Sequence, residues 1–418
     1  MSKKILFFPD VYQEQGHWLP AVSLAEALKN RGHEVAFMGI ADCKAIVEPY
    51  SFPFHEIFKK EYPFGYTKTH QHRSVSERWK PVHLWNIMNG GLDELMSRVN
   101  PDLIISGYFA SLETLLIRYK YNKPFLITTT YLRHPDDDPG IRGIQNLVGM
   151  SDAMSRRVME SVYSGDIPSD ELTVYQFVKP LETAMELVPC PREFEFSNYL
   201  FDSDLHPETS RVKFIEPCVT RPITESDTQV GWTEGIPADK LSGNRILFAT
   251  AGSQVHDYKD KARRWFQEMI LMMDLQGMQN YHLVISAGSE LIKEHWKLPS
   301  NVSVFSWVPQ LSVLDKCAAA YIHGGLATVK ECIYKGVPFV ILPLGKDQMD
   351  NALRVRRAGI GEVSFAESVS CTDLQSLFLQ ATTNTWTKAR LNKMKATFEE
   401  METARPGVQL IHDFAENL

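Results

Sequence analysis

His323, Gly324, Gly325, Thr328 and Glu331 stand close together in the stretch HGGLATVKE, between the short apolar run AAAYI and a segment with helical character. Glycine permits positive φ and, without a Cβ, lets a ligand come close to the backbone. LATVKECIYK predicts a helix that stops at Gly336, with Pro338 beyond it. A strand, a glycine pair and a helix at the carboxyl edge of a parallel sheet is where α/β proteins hold ligands. The helix N-terminus presents unpaired N–H groups and about half a positive charge, which suits phosphate or diphosphate. Thr328, in the first turn, adds a hydroxyl, and His323 can donate to a phosphate oxygen. Glu331 lies three residues on, on the same face. It would repel a phosphate in contact with it and suits a neutral diol such as ribose. On these residues alone two readings stand level: a nucleoside diphosphate site, or a tight turn followed by solvated helix residues.

A second group opens the chain. His17 lies in QGHWLPAVSLAEALKNRGHEV, just before a helix expected over 21–34. An imidazole with an ordinary pKa of about 6.5 suits proton removal near neutrality. A hydroxyl is a poor nucleophile without such a base. Taken alone, His17 reads first as a capping or packing histidine.

The elements that must carry these residues are of one kind. Strands are expected at 3–9 and 33–39, flanking that helix, which makes a βαβ unit and begins a parallel sheet. Residues 101–106, a helix near 111–120, and 124–130 repeat the pattern. Residues 60–90 are rich in aromatics and histidines, and 131–210 show no clean period. The polar, Pro- and Gly-punctuated stretch 223–243 reads as an interdomain linker. Strands at 244–253, 281–288, 301–307, 318–324 and 336–344 then form a second α/β set. The expectation is two Rossmann-like, doubly wound α/β domains facing a central cleft: 1–222, 244–395, and a final helical segment 396–418 that packs back on the first domain.

Composition bounds the rest. The chain has 418 residues, 44% hydrophobic and 23% charged, with a net charge of −7. That exceeds one ordinary core and fits two soluble domains. No basic cluster supports nucleic-acid binding, and no apolar run reaches the roughly 18–20 residues of a membrane span. The six cysteines form no C-x-x-C pair and no zinc spacing, so they read as free thiols of a cytoplasmic protein. G-x-G-x-x-G after the first strand, the P-loop and G-x-S-x-G are all absent, against nicotinamide or flavin enzymes, P-loop enzymes and α/β-hydrolases. Asp-x-Asp in DDDPG (136–140) lies in a Pro/Gly turn and reads as solvated. His70, His72 and His83 lack an acidic or thiol ligand at metal spacing. No metal and no cofactor is expected.

WVPQLSVL (307–314) lies upstream of the His-Gly-Gly stretch and GKDQMDN (345–351) downstream. In order, W-x-P-Q, V-L, H-x-G, a hydroxyl residue, E, G-V-P, P, D-Q and N resemble the nucleotide-sugar signature of the family 1 (UDP-glycosyltransferase-like) GT-B glycosyltransferases. Leu326, Ala327 and Thr328 stand where the plant pattern has W-N-S, and the bacterial natural-product or macrolide type is more similar there. The resemblance implies that Trp307 stacks on the nucleobase, Val308 meets its edge through the backbone, and Gln310 lies near the ribose. It implies that His323 and Thr328 bind the diphosphate beside Gly324 and Gly325. Glu331 takes the ribose hydroxyls, and Asp347 and Gln348 the sugar. Gly252 and Ser253 form the turn that approaches the phosphates. The co-substrate is then a UDP- or dTDP-sugar.

G-H-x-x-P followed by L-A-x-x-L-x-x-R-G-H also resembles the family and implies that His17 is the base. The family's orienting aspartate, counted along P-D-x-x-x-x-D, falls on Gly107. Asp10, Glu14 or Glu113 could replace it, the acceptor could be acidic enough to need little help, or catalysis could be weak. Phe64, Tyr66, Trp79, Trp85, Tyr108 and Tyr131 are candidates for an apolar acceptor pocket, as against ordinary packing. The activity implied is inverting transfer of a sugar to a hydroxyl of a hydrophobic small molecule, such as a phenolic or polyketide. A non-catalytic nucleotide-sugar-binding protein and a nucleotide-sugar epimerase are the alternatives. Oligomeric state is not legible.

Overall fold

The computed structural model describes residues 2–69, 81–132, 180–181, 183–196, 211–222, 224, 231–253, 255–294 and 296–418. The chain divides into two compact units. The first takes Met1–Cys190, Asn198–Arg221 and Ala404–Leu418; the second takes Pro191–Ser197 and Pro222–Thr403.

The first unit holds a seven-stranded sheet in the order β3-β2-β1-β4-β5-β6-β7. Its strands are β1 (Lys4–Phe8), β2 (Glu34–Gly39), β3 (Phe54–Glu56), β4 (Leu103–Gly107), β5 (Phe125–Thr128), β6 (Glu186–Val188) and β7 (Val212–Phe214). Every pairing is parallel. β1 and β4 are apolar runs buried on both faces, as a sheet covered on both sides demands. The first helix, Gln15–Asn30, lays Trp18, Ala21, Val22, Leu24, Ala25 and Leu28 into the core. It starts six residues before the expected position, so His17 lies in its first turn rather than on a preceding loop. Pro20 does not end it, because the proline forfeits only one hydrogen bond, to the Gly16 carbonyl, near the N-terminal end.

The second unit holds six strands in the order β10-β9-β8-β11-β12-β13, again all parallel. These are β8 (Ile246–Thr250), β9 (His282–Ser286), β10 (Val302–Phe305), β11 (Cys317–Ile322), β12 (Phe339–Ile341) and β13 (Glu362–Val363). In each sheet the strand order reverses beside the first strand, between β1 and β4 and between β8 and β11. Such a reversal opens a crevice at the carboxyl ends of the two strands.

Three boundaries differ from the sequence expectation. Of the expected linker 223–243, the described residues 231–243 are part of the second unit: Trp232 and Ile236 are buried, and Ala238–Ser242 is helical. Two apolar anchors outweigh the polar, punctuated composition. Pro191–Ser197 belongs to the second unit although the chain on either side belongs to the first. There the Glu195 carboxylate meets Arg354 Nε at 2.6 Å, both side chains fully buried, and the guanidinium lies over the Phe196 ring at 4.7 Å. The helix Thr385–Ala404 stays almost wholly with the second unit, and only Pro406–Glu416 packs on the first. The buried Glu216 carboxylate caps that last helix, accepting from the N–H groups of Gly407 (2.6 Å) and Val408 (3.3 Å). Arg405, at φ +52°, donates to Ser23 Oγ at 2.9 Å.

All six cysteines are free thiols. Among the described residues, no helix is long and apolar enough to cross a membrane. Removing the Glu195 carboxylate by Glu195→Ala strands a buried guanidinium. Denaturant unfolding of the variant should show a loss of about 3–5 kcal/mol; an unchanged midpoint would mean that the pair holds nothing.

Candidate active site

β1 ends at Phe8, and its register partner on β4 is Ser106, so Pro9–Asp10 and Gly107 leave the sheet side by side. His17 Nδ1 lies 2.6 Å from Asp10 Oδ2. Asp10 is fully buried, and its other oxygen accepts from the Tyr12 N–H at 3.2 Å. A carboxylate on Nδ1 fixes the tautomer with the proton there and leaves the Nε2 lone pair to act as base. Glu14 Oε2 stands 3.6 Å from Nε2. The Phe109 ring stacks on the imidazole at 4.8 Å.

Of the three acids considered for this partnership, Asp10 makes it. Glu113 does not: its Oε1 meets His83 Nδ1 at 2.6 Å, both fully buried, and Tyr62 Oη bonds the other nitrogen of that ring. The family position has no room for an aspartate, because a Cβ on Gly107 would lie 1.7 Å from the Pro9 carbonyl oxygen. The acid has moved one strand over in the sheet, seven residues before the histidine that it orients. That short spacing was the available signal.

Asp10, Glu14 and His17 also offer three ligand atoms within 4.8 Å of one another. A divalent cation held there would take the imidazole lone pair that a base needs. Of the aromatic candidates, Tyr108 and Tyr131 pack together at 5.1 Å, with Phe109 against both. Phe109 is the member that sequence reasoning missed. Phe64 and Trp85 are instead 78% and 46% exposed, and Tyr66 packs edge-on against Tyr62. Trp79, His70, His72 and the 136–140 turn lie outside the described residues.

In the second unit the His-Gly-Gly stretch follows β11, and Gly252–Ser253 follows β8. The His323 ring fills the space that the glycines leave open. A Cβ on Gly252 or on Gly325 would come within 2.4 Å of its Nε2. A Cβ on Gly324, at φ +90°, would meet Ile341 and the Gln348 carbonyl. The glycines therefore make room for an imidazole and for the next helix, where the sequence suggested close approach of a ligand. Burial pushes the His323 pKa down to about 4, with the Thr250 backbone opposing. His323 is thus a neutral N–H donor through the physiological range.

The helix Leu326–Lys335 has no side-chain cap at its N-terminus and ends at Gly336 in the left-handed region. Gln310 Nε2 donates to Thr328 Oγ1 at 3.3 Å and to Glu331 Oε2, tying the two residues together. Trp307 is 41% exposed, open to stacking, while Val308 is buried. Asp347 is the N-cap residue of the helix Gln348–Ala358. Gln348 Oε1 accepts from the N–H groups of Leu344 (2.8 Å) and Gly345 (3.1 Å), which leaves only its NH₂ for a ligand. Tyr258 packs where a Cβ on Gly345 would fall, and Asp347 is among the charges that raise its pKa, after burial.

Residues 292–397 match the family model described as UDP-glucoronosyl and UDP-glucosyl transferase, across most of the donor-side residues. The chain has the GT-B fold of the glycosyltransferases. An uncharacterized UDP-glucosyltransferase of Bacillus subtilis (strain 168), YdhE, is 22% identical over 410 residues, 95% of this chain and 94% of the relative. The solved glycosyltransferase of kitacinnamycin superposes with TM-score 0.72 at 20% identity, covering 99% of each chain. The spinosyn rhamnosyltransferase SpnG, solved with thymidine diphosphate, superposes with TM-score 0.64 at 17% identity, over 99% of this chain and 100% of the other.

Installing the family aspartate by Gly107→Asp should push the β1 and β4 ends apart and cost about 3 kcal/mol or more. In an Asp10→Asn background it should restore no activity. Denaturant unfolding and transfer assays check the two halves; recovery of transfer in the double variant would overturn the steric account.

Proposed function

We propose that this glycosyltransferase moves a sugar, with inversion, from a UDP- or dTDP-sugar to a hydroxyl of a hydrophobic natural-product acceptor. The observation that carries the reading is the His17–Asp10 contact, a base whose tautomer is set by a buried carboxylate. His17 Nε2 takes the acceptor proton as the acceptor oxygen bonds to the anomeric carbon. The bond from that carbon to the phosphate oxygen breaks, and the diphosphate leaves with the electron pair. The Leu326–Lys335 helix N-terminus, the neutral His323 N–H and the Thr328 hydroxyl are donors fixed in advance for the charge that develops. Trp307 stacks on the base and Glu331 receives ribose hydroxyls. Asp347 and the Gln348 NH₂ contact the sugar. These donors make a metal unnecessary, and we place the enzyme in the cytoplasm.

Two features support the acceptor class. Phe109, with the half-buried Tyr131 packed against it, puts aromatic surface beside His17, while Tyr108 behind them is buried in the core. The kitacinnamycin and spinosyn enzymes, whose fold this chain shares, are named for natural products. The absence of an aspartate at Gly107 was the reason to consider a non-catalytic binding protein, and Asp10 removes that reason.

Thermal unfolding with UDP, dTDP, ADP, UDP-glucose and NAD, each with and without EDTA, tests the donor site. At 100 times its Kd a ligand should add about 2.7 kcal/mol of stability. The expectation is a rise with UDP or dTDP that EDTA leaves unchanged; no rise with either would end the donor reading. Asp10→Asn and His17→Ala should each lower kcat for an alcohol acceptor by about 10²–10⁴-fold. For acidic phenols, which need less help in losing the proton, the loss should shrink. Full transfer activity in His17→Ala would sink the base assignment.

A further inference from the structure

The first turn of the Gln348–Ala358 helix carries a residue to which the donor-site reading gives no role. Asn351 is fully buried. Its Nδ2 donates both hydrogens, one to the Gly324 carbonyl at 2.9 Å and one to Asp347 Oδ2 at 3.0 Å. Gly324 is the centre of the His-Gly-Gly turn, and Asp347 is the carboxylate assigned to the donor sugar. Among the described residues, the Asn351 Oδ1 is buried without a hydrogen-bond partner. A residue selected only to fill that space would not bring an unsatisfied acceptor with it. Asparagine at 351 is needed for its two N–H donors.

The geometry points to Asn351 as the positioning residue that couples sugar recognition to diphosphate recognition, an inference that rests on the donor-site reading above. One amide holds the aspartate at a fixed distance from the phosphate-binding turn. The turn has little freedom of its own: Gly324 abuts Ile341 and the Gln348 carbonyl, and His323 is wedged between Gly252 and Gly325. A shift of Asp347 when it engages sugar hydroxyls is therefore felt at Gly324, and a shift of the turn is felt at Asp347. Asn351 touches neither substrate in this account. It acts through the two groups that do.

The test is a double-mutant cycle read by calorimetric binding of UDP, UDP-glucose, dTDP and dTDP-glucose. Asn351→Leu keeps the size and removes both donors without adding a charge; Asn351→Ser is a smaller second choice should the first not fold. Asp347→Ala removes the partner. For whichever nucleotide the wild type binds, each single variant should weaken the nucleotide sugar tenfold or more. The double variant should be no more than threefold worse than the weaker single, because both changes break the same link. Additive losses with unchanged melting temperature would overturn the coupling, as would wild-type affinities in Asn351→Leu. If neither Asn351 variant folds, Asp347→Ala decides alone. It should weaken the sugar-free diphosphate at least threefold, although that ligand carries nothing for Asp347 to touch, and unchanged affinity would overturn the proposal. Failure of the wild type to bind any of the four probes is a different result. It removes the donor site itself, and this inference with it.

Discussion

Every strand pairing in both sheets is parallel, and that constraint sends all carboxyl ends of one sheet to the same edge. Where the winding reverses, two neighbouring strands release their chains in opposite directions and leave a crevice between them. In the first unit the pair is β1 and β4; in the second it is β8 and β11. Asp10, His17 and Phe109 come from the first crevice, and Gly252, His323 and the Leu326–Lys335 helix from the second. No long-range coincidence has to be explained. Two copies of one winding rule gather the residues, and side-chain packing then decides which of them touch.

Packing explains both the glycines and the displaced carboxylate. In the second unit a neutral imidazole occupies the volume that Cβ atoms at Gly252 and Gly325 would need. Burial lowers its pKa to about 4, which favours a neutral N–H over a cation. In the first unit the approach of β4 to Pro9 forbids a side chain at Gly107, and the carboxylate that meets His17 comes from the end of β1 instead.

Much of this was legible beforehand because it rests on local pattern. The apolar runs of β1, β4, β8 and β11, the helix that stops at Gly336, and the ordered series from Trp307 to Asn351 all announce themselves over short distances. What escaped was decided by side-chain contacts that local pattern does not specify. Asp10, Glu14 and Glu113 could not be ranked, since only the fold sets Asp10 against His17 Nδ1 and commits Glu113 to His83. Phe109 was passed over because nothing local marks it as lying against His17. The short strands β3, β6, β7 and β13 have two or three residues of pattern and gain their pairing from neighbours already in place. The 223–243 stretch looked like a linker because composition registers its polar residues and not the two apolar anchors, Trp232 and Ile236.

The path of the chain has a consequence for anyone who wishes to recombine it. The backbone passes between the two units at 190/191, 197/198, 221/222 and 403/404. A fragment ending near 222 therefore lacks the Pro406–Glu416 helix whose Val408, Ile411 and Ala415 complete the first unit's core, and it carries away the Glu195 that the second unit needs for Arg354. Swapping halves between relatives at a single junction would instead pack each unit against a segment from the other parent, so a chimera that respects the contacts must exchange Pro191–Ser197 and the tail as cassettes of their own.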